Sequence, residues 1–135
     1  MTEFAEHRRV ATVALVVASY DEAIAWYVER LGLLLVDDVD LGGGKRWVTV
    51  APASGQGARL LLAEASDEAQ SKSIGNQTGG RVFLFLETDD FARDHAAMLE
   101  KDVKFREAPR FEPYGTVAVF ADLHGNLWDL IEPKR

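Results

Sequence analysis

Cysteine is absent from the 135 residues, which excludes disulfides, thiolate zinc sites, iron–sulfur clusters and cysteine nucleophiles together. Histidine is scarce: His7, His95 and His124 are the whole supply, and no two of them stand at metal-ligand spacing. No stretch approaches the ~18 uninterrupted apolar residues of a membrane span, and the start, MTEFAEHRR, lacks a signal peptide's apolar centre. The expected compartment is therefore the cytoplasm. Positive charge is in deficit, with fifteen basic against twenty-two acidic residues and a net charge of -7. That balance argues against nucleic acid and membrane as partners and tolerates a cationic small molecule, although such a charge also simply keeps a protein in solution.

What is present suffices for a core. Hydrophobic residues make up 47% of the chain, so a folded single domain of this length is expected rather than disorder. The pattern repeats. Val13-Ala14-Leu15-Val16-Val17 precedes Ser19-Tyr20-Asp21-Glu22 and a helical face of Ala23, Ile24, Tyr27 and Leu31. Val82-Phe83-Leu84-Phe85-Leu86 precedes Thr88-Asp89-Asp90 and a helical face of Phe91, His95, Met98 and Leu99. An offset of 69 superposes these stretches and lays Trp47–Val50 on Thr116–Val119, while 68 lays Leu60–Glu64 on Trp128–Glu132. The fold class read from this is α+β, two β-α-β-β-β modules that together form a cup-shaped sheet. Module one covers about 8–66, a polar, Gly-rich linker about 67–80, and module two about 81–135.

Local chemistry marks the boundaries. Ser19 with Glu22 reads as a capping box, Gly32 as the close of the first helix, and Gly42–Gly44 and Leu123–Asn126 as strand turns. Strands are expected near 10–18, 34–41, 45–51, 59–65, 81–87, 103–108, 114–121 and 126–132, and helices near 20–31 and 89–100. Alternation then separates two faces. An aliphatic face holds Val13, Leu15, Val17, Val48, Val50, Leu60, Leu62, Val82, Leu84, Leu86, Val117, Val119, Trp128 and Leu130, and is expected under the helices. The other holds Thr12, Ala14, Trp47, Thr49, Leu61, Arg81, Phe83, Phe85, Glu87, Tyr114, Thr116 and Asp129. Its mixture of aromatic, hydroxyl and charged groups suits the lining of a ligand cavity, or equally an interface.

The segments 13–17, 21–27 and 31–33, with the closing run Phe120-Ala121-Asp122-Leu123-His124-Gly125-Asn126-Leu127-Trp128-Asp129-Leu130, resemble the vicinal oxygen chelate superfamily of glyoxalases, bleomycin resistance proteins and extradiol dioxygenases. The resemblance implies paired modules, a cup and a homodimer. In its metal-dependent members it implies a divalent ion held by the first and last strands of each module. Those positions fall on Thr12, Leu61, Arg81 and Asp129, a set in which only Asp129 can ligate, so no metal and no cofactor is expected. Glu64 and Glu132 would sit on the helix side instead.

Arg81 and Asp129 are expected to pair across the cup floor, either as a structural plug or with the guanidinium orienting a ligand. Trp47, Phe83, Phe85 and Tyr114 are candidates to stack a planar molecule. Asn76 and Gln77 are candidate amide contacts at its mouth. Two functions remain in view. One is a metal-free cup that binds a small, planar or cationic organic molecule. The other is a metal-independent lyase or isomerase on a carbonyl compound, with Asp129 or Glu87 as base and Arg81 as anion stabiliser.

Overall fold

In a computed structural model, which describes residues 3–4 and 6–135, the repeat is plain in the pairing of the strands. Module one runs β1 (Thr12–Val17), α1 (Tyr20–Ala25), β2 (Leu34–Gly42), β3 (Lys45–Ala51) and β4 (Arg59–Glu64). A linker helix, α2 (Glu68–Ser73), follows. Module two runs β5 (Val82–Glu87), α3 (Phe91–Glu100), β6 (Lys104–Phe105), β7 (Arg110–Glu112), β8 (Gly115–Ala121) and β9 (Leu127–Pro133). Each module's first strand lies parallel to its last, giving sheet orders β1-β4-β3-β2 and β5-β9-β8-β6, with β7 also on β8.

Both helices begin where the sequence places a cap. Ser19 Oγ accepts the Glu22 N–H at 3.3 Å. The reciprocal carboxylate is not Glu22 but Glu64, which accepts the Tyr20 N–H at 3.1 Å from the end of β4. Glu132, at the same place in module two, accepts the Phe91 N–H at 2.7 Å. In each module the last strand thus caps the helix it covers, setting a carboxylate against the positive helix end. This fixes Glu64 and Glu132 on the helix side, as expected. Past Ala25 the first helix widens into a π-helical turn, Trp26–Arg30, and Gly32 closes it at φ 77.

One hydrophobic core serves both modules. Leu15, Val17, Val50 and Leu62 from the first sheet share it with Phe120, Trp128 and Leu130 from the second, around Tyr27, Phe91 and Met98. Rings run through it in succession: Tyr27 to Trp128 at 6.1 Å, Trp128 to Phe120 at 5.7 Å, Phe120 to Phe105 at 5.6 Å. Asp122 ties the modules at this point. It accepts the Tyr27 hydroxyl at 2.6 Å, Trp128 Nε1 at 3.1 Å and Asn126 Nδ2 at 3.0 Å, plus the backbone N–H groups of His124 and Asn126.

Four expectations need correction. The strand expected over 103–108 is broken into β6 and β7, because Pro109 offers no N–H and the Glu107 carboxylate takes the Val119 N–H at 2.9 Å in place of backbone. The linker is not plain coil: Asp67 accepts the Gln70 N–H at 2.7 Å and nucleates α2. The phase of β8 was off by one. Thr49 pairs with Leu61 and Val119 with Asp129, so the strands match at an even offset of 70 rather than 69. With a period of two, an odd error exchanges the faces. Ala118 and Phe120 enter the core, whereas Val117 and Val119 look the other way. Leu99, expected in the helix's buried face, is 51% exposed.

Candidate functional site

Because the shared core lies between the modules, the opposite face of each sheet turns outward. On sheet one this outer face carries Thr12, Ala14, Arg59, Leu61, Thr49 and Trp47, neighbours by cross-strand register. Thr49 is buried and donates its hydroxyl to Asp37 Oδ2 at 2.7 Å; Arg59 Nη1 meets the same oxygen at 3.4 Å. Trp47, opposite Val39, is 42% exposed. Asp37 and Arg59 were not picked out from sequence. Their signal was available, since both lie opposite residues already assigned to that face.

On sheet two the outer face centres on Asp129, flanked by Phe85 on β5 and Val119 on β8. Asp129 is only 9% exposed, and its Oδ1 is buried with no hydrogen-bond partner among the described residues. Burial pushes its carboxyl above the ordinary range, the positive charge of Arg110 opposes this, and Glu107 adds to it. Arg110 itself is held by Glu107 at 2.9 Å and Glu112 at 3.0 Å, and Tyr114 stands beside it. Neither Glu107 nor Arg110 was legible beforehand, because the break between β6 and β7 that aims them leaves no periodic signature.

The structure rearranges the expected set. Arg81 is exposed, precedes β5, and forms no ion pair with Asp129 among the described residues. The reason is register. The ladder of β5 slips by one residue between Val82 and Leu84, and Asp129 lies opposite Phe85, four residues or roughly 13 Å of strand beyond Arg81. The cation near Asp129 is Arg110. Thr116 also leaves the set, since it pairs with Glu132 on the helix side. Glu87 ends β5 beside the groove between the modules, with Arg30, Leu33, Met98 and Lys101, in a hollow of about 320 Å³. Phe83 is half-buried against the core, whereas Phe85 is 63% and Tyr114 55% exposed.

Gln77 faces neither outer wall. Its side chain spans Val16, accepting that residue's N–H and donating to its carbonyl, both at 3.4 Å, and so stands in for a strand along the β1 edge. Asn76 takes part in backbone turns, donating to the Ser73 carbonyl at 2.9 Å. His124 accepts the Ala18 N–H at 3.3 Å, and His95 is packed between Phe91 and Phe105.

Within one chain the two outer faces belong to separate sheets on opposite sides of the core, so Thr12 and Leu61 do not share a hollow with Asp129. A divalent ion does not fit these positions. Hydroxyl, alkyl, guanidinium and a single carboxylate cannot grip one, and no three His, Asp or Glu side chains converge among the described residues. Nor is any helix among the described residues long and apolar enough to cross a membrane.

Comparison with known proteins agrees with the geometry. An uncharacterized protein of Shewanella frigidimarina is 52% identical over 124 residues, covering 91% of this chain and 92% of its own. The uncharacterized protein YurT of Bacillus subtilis is 30% identical, over 92% of this chain and 98% of its own. Among solved structures, UcmS2 superposes with a TM-score of 0.81 at 26% identity, over 93% of this chain and 98% of that one. TnmS3, described as an antibiotic binding protein from Streptomyces sp. CB03234, superposes at 0.77 with 29% identity, over 97% of this chain and all of that one. The profile of the Glyoxalase/Bleomycin resistance protein/Dioxygenase superfamily matches residues 9–130, and the chain belongs to that superfamily.

Proposed function

We propose that this protein binds a small, planar or cationic organic molecule without a metal, in a cup that forms when two copies associate. Module one of one copy faces module two of the other, so the Trp47 wall closes over the Phe85–Asp129 wall and each dimer has two equivalent sites. The observation that carries this reading is Asp129, a buried carboxyl with an empty acceptor, on a wall whose aromatics Phe85 and Tyr114 have no covering partner. Exposed apolar side chains along β2 (Leu35, Val39 and Leu41) support the association, because an unpaired apolar edge strand is a liability when left bare. TnmS3 is described as antibiotic binding, and its likeness covers nearly the whole chain, which favours sequestration over turnover.

The test is a thermal-shift screen of planar aromatic compounds, neutral and cationic, alongside sedimentation analysis. A ligand at 100 times its Kd adds about 2.7 kcal/mol of stability. The expected result is a dimer with at least one stabilising class whose effect is lost in Asp129→Asn. A strict monomer that no compound stabilises would refute the reading, and stoichiometric nickel, zinc, iron or manganese in the purified protein would refute its metal-free part.

A second reading, a metal-independent lyase or isomerase, draws on the same carboxyl: burial raises it toward the range of a general base. In that case Arg110 replaces Arg81 as the anion stabiliser, and Glu87 drops out. Turnover that follows the ionisation of Asp129 and vanishes in Asp129→Asn would favour this reading.

A further inference from the structure

The outer face of sheet two sets an anchored guanidinium near a buried carboxyl oxygen that has no donor among the described residues. Arg110 on β7 lies opposite Val117, and Val119, two residues along β8, lies opposite Asp129 on β9. Cross-strand partners share a face, as do residues two apart, so Arg110 and Asp129 rise from the same surface two strands apart. Strand spacing and rise put their backbones about 12 Å from each other. They do not form an ion pair with one another.

Arg110 is anchored rather than free. Its Nε donates to Glu107 Oε1 and its Nη1 to Glu112 Oε1, while the second oxygen of Glu107 accepts the Val119 N–H and locks that carboxylate to β8. The fork is thus fixed at two corners, with Tyr114 beside it, and the side chain remains 40% exposed on this face. Across the gap, Asp129 Oδ1 is an acceptor with no donor. An anchored, part-exposed guanidinium and a carboxyl oxygen lacking a donor, on one face and not paired with each other, are the two polar groups that a ligand on this wall would meet.

We propose that Arg110 and Asp129 together read a neutral ligand group that presents a hydrogen-bond donor beside an acceptor, as a carboxamide or lactam does. The donor goes to Asp129 Oδ1 and the acceptor to the Arg110 fork, with the attached ring against Phe85. A cationic head would gain Asp129 but meet the Arg110 guanidinium on the same face. An anionic head would gain Arg110 but meet Asp129 and Glu107. The proposal rests on the small-molecule reading above and narrows its ligand class from planar or cationic to planar and neutral. Glu107 is the positioning residue.

Three probes of one ring and one size test it: benzamide, benzamidinium and benzoate, titrated into the full chain at neutral pH. Amide resonances along β5 and β9 and the Arg110 Nε–H resonance report occupancy. The expected result is benzamide bound at least about fivefold tighter than either charged probe, roughly one net hydrogen bond's worth. Arg110→Met, exposed enough to leave the spectrum of the fold intact, then weakens benzamide by that factor and leaves benzamidinium unchanged or tighter. Equal binding of all three, or preference for benzamidinium, overturns this inference and leaves the binding reading standing. If no probe shifts any outer-face resonance, this inference fails, and the thermal-shift screen decides the binding reading.

Discussion

Removing one hydroxyl at the junction of the modules tests how firmly they are joined. Tyr27 is 1% exposed, and its hydroxyl donates at 2.6 Å to Asp122, a carboxylate with four other donors and no cation. A hydrogen bond to a charged acceptor contributes ~1.5–3 kcal/mol. Phenylalanine keeps the ring contacts with Trp26 and Trp128, so Tyr27→Phe isolates that bond. At this chain length a loss of that size lowers Tm by ~6–12 °C. Calorimetry gives the magnitude, and the alkaline limb gives an independent check. Burial, then the Asp122 charge and the bond to it, hold the Tyr27 phenol well above its ordinary value. A raised phenol contributes stability in full below about 10, its unfolded value, and loses it as pH climbs through the folded one. The stability difference between wild type and Tyr27→Phe is therefore constant at neutral pH and shrinks above pH ~10. A difference under about 0.5 kcal/mol at pH 7, or one that grows with alkali, would refute the clamp.

Other outcomes follow from the same contacts. Asp129→Asn is expected to raise stability near neutrality, because burial elevates the native carboxyl and the cost of charging it appears as pH rises through the carboxylate range. Urea titrations at pH 3 and 7 should show the mutant's advantage only at pH 7. Gly75→Ala places a Cβ 2.2 Å from the His124 carbonyl at φ +75 and should cost more than ~2 kcal/mol, whereas Gly79→Ala, with open space around it, should cost about 1 kcal/mol; paired melts decide. Gln77→Ala strips the surrogate strand from Val16, so the Val16 amide should exchange with deuterium at least about fivefold faster while amides in β8 stay protected.

The fold was legible because its signals are local and redundant. Ser19 and Asp90 cap their helices where hydroxyl and carboxylate chemistry says they should, Gly32 takes the positive φ that closes the π-helical turn after α1, and aliphatic alternation in β1, β3 and β4 marks the core face. Register carries no such redundancy. The register of β5 on β9 sets Asp129 opposite Phe85 rather than beside Arg81, and one residue of phase in β8 exchanged Thr116 for Val117 and Val119. Site geometry depends on register more than fold does, since apolar residues on both sides of β8 tolerate either phase. The polar cluster was illegible for a further reason. Arg106-Glu107-Ala108-Pro109-Arg110 reads as a charged loop, and only the capture of the Val119 N–H by Glu107 turns Arg110 toward the face that holds Asp129. A side chain doing a strand's work has no period to detect. The same substitution recurs at Gln77 on the β1 edge, and at both places alternation cannot register that backbone pairing has given way to a side chain.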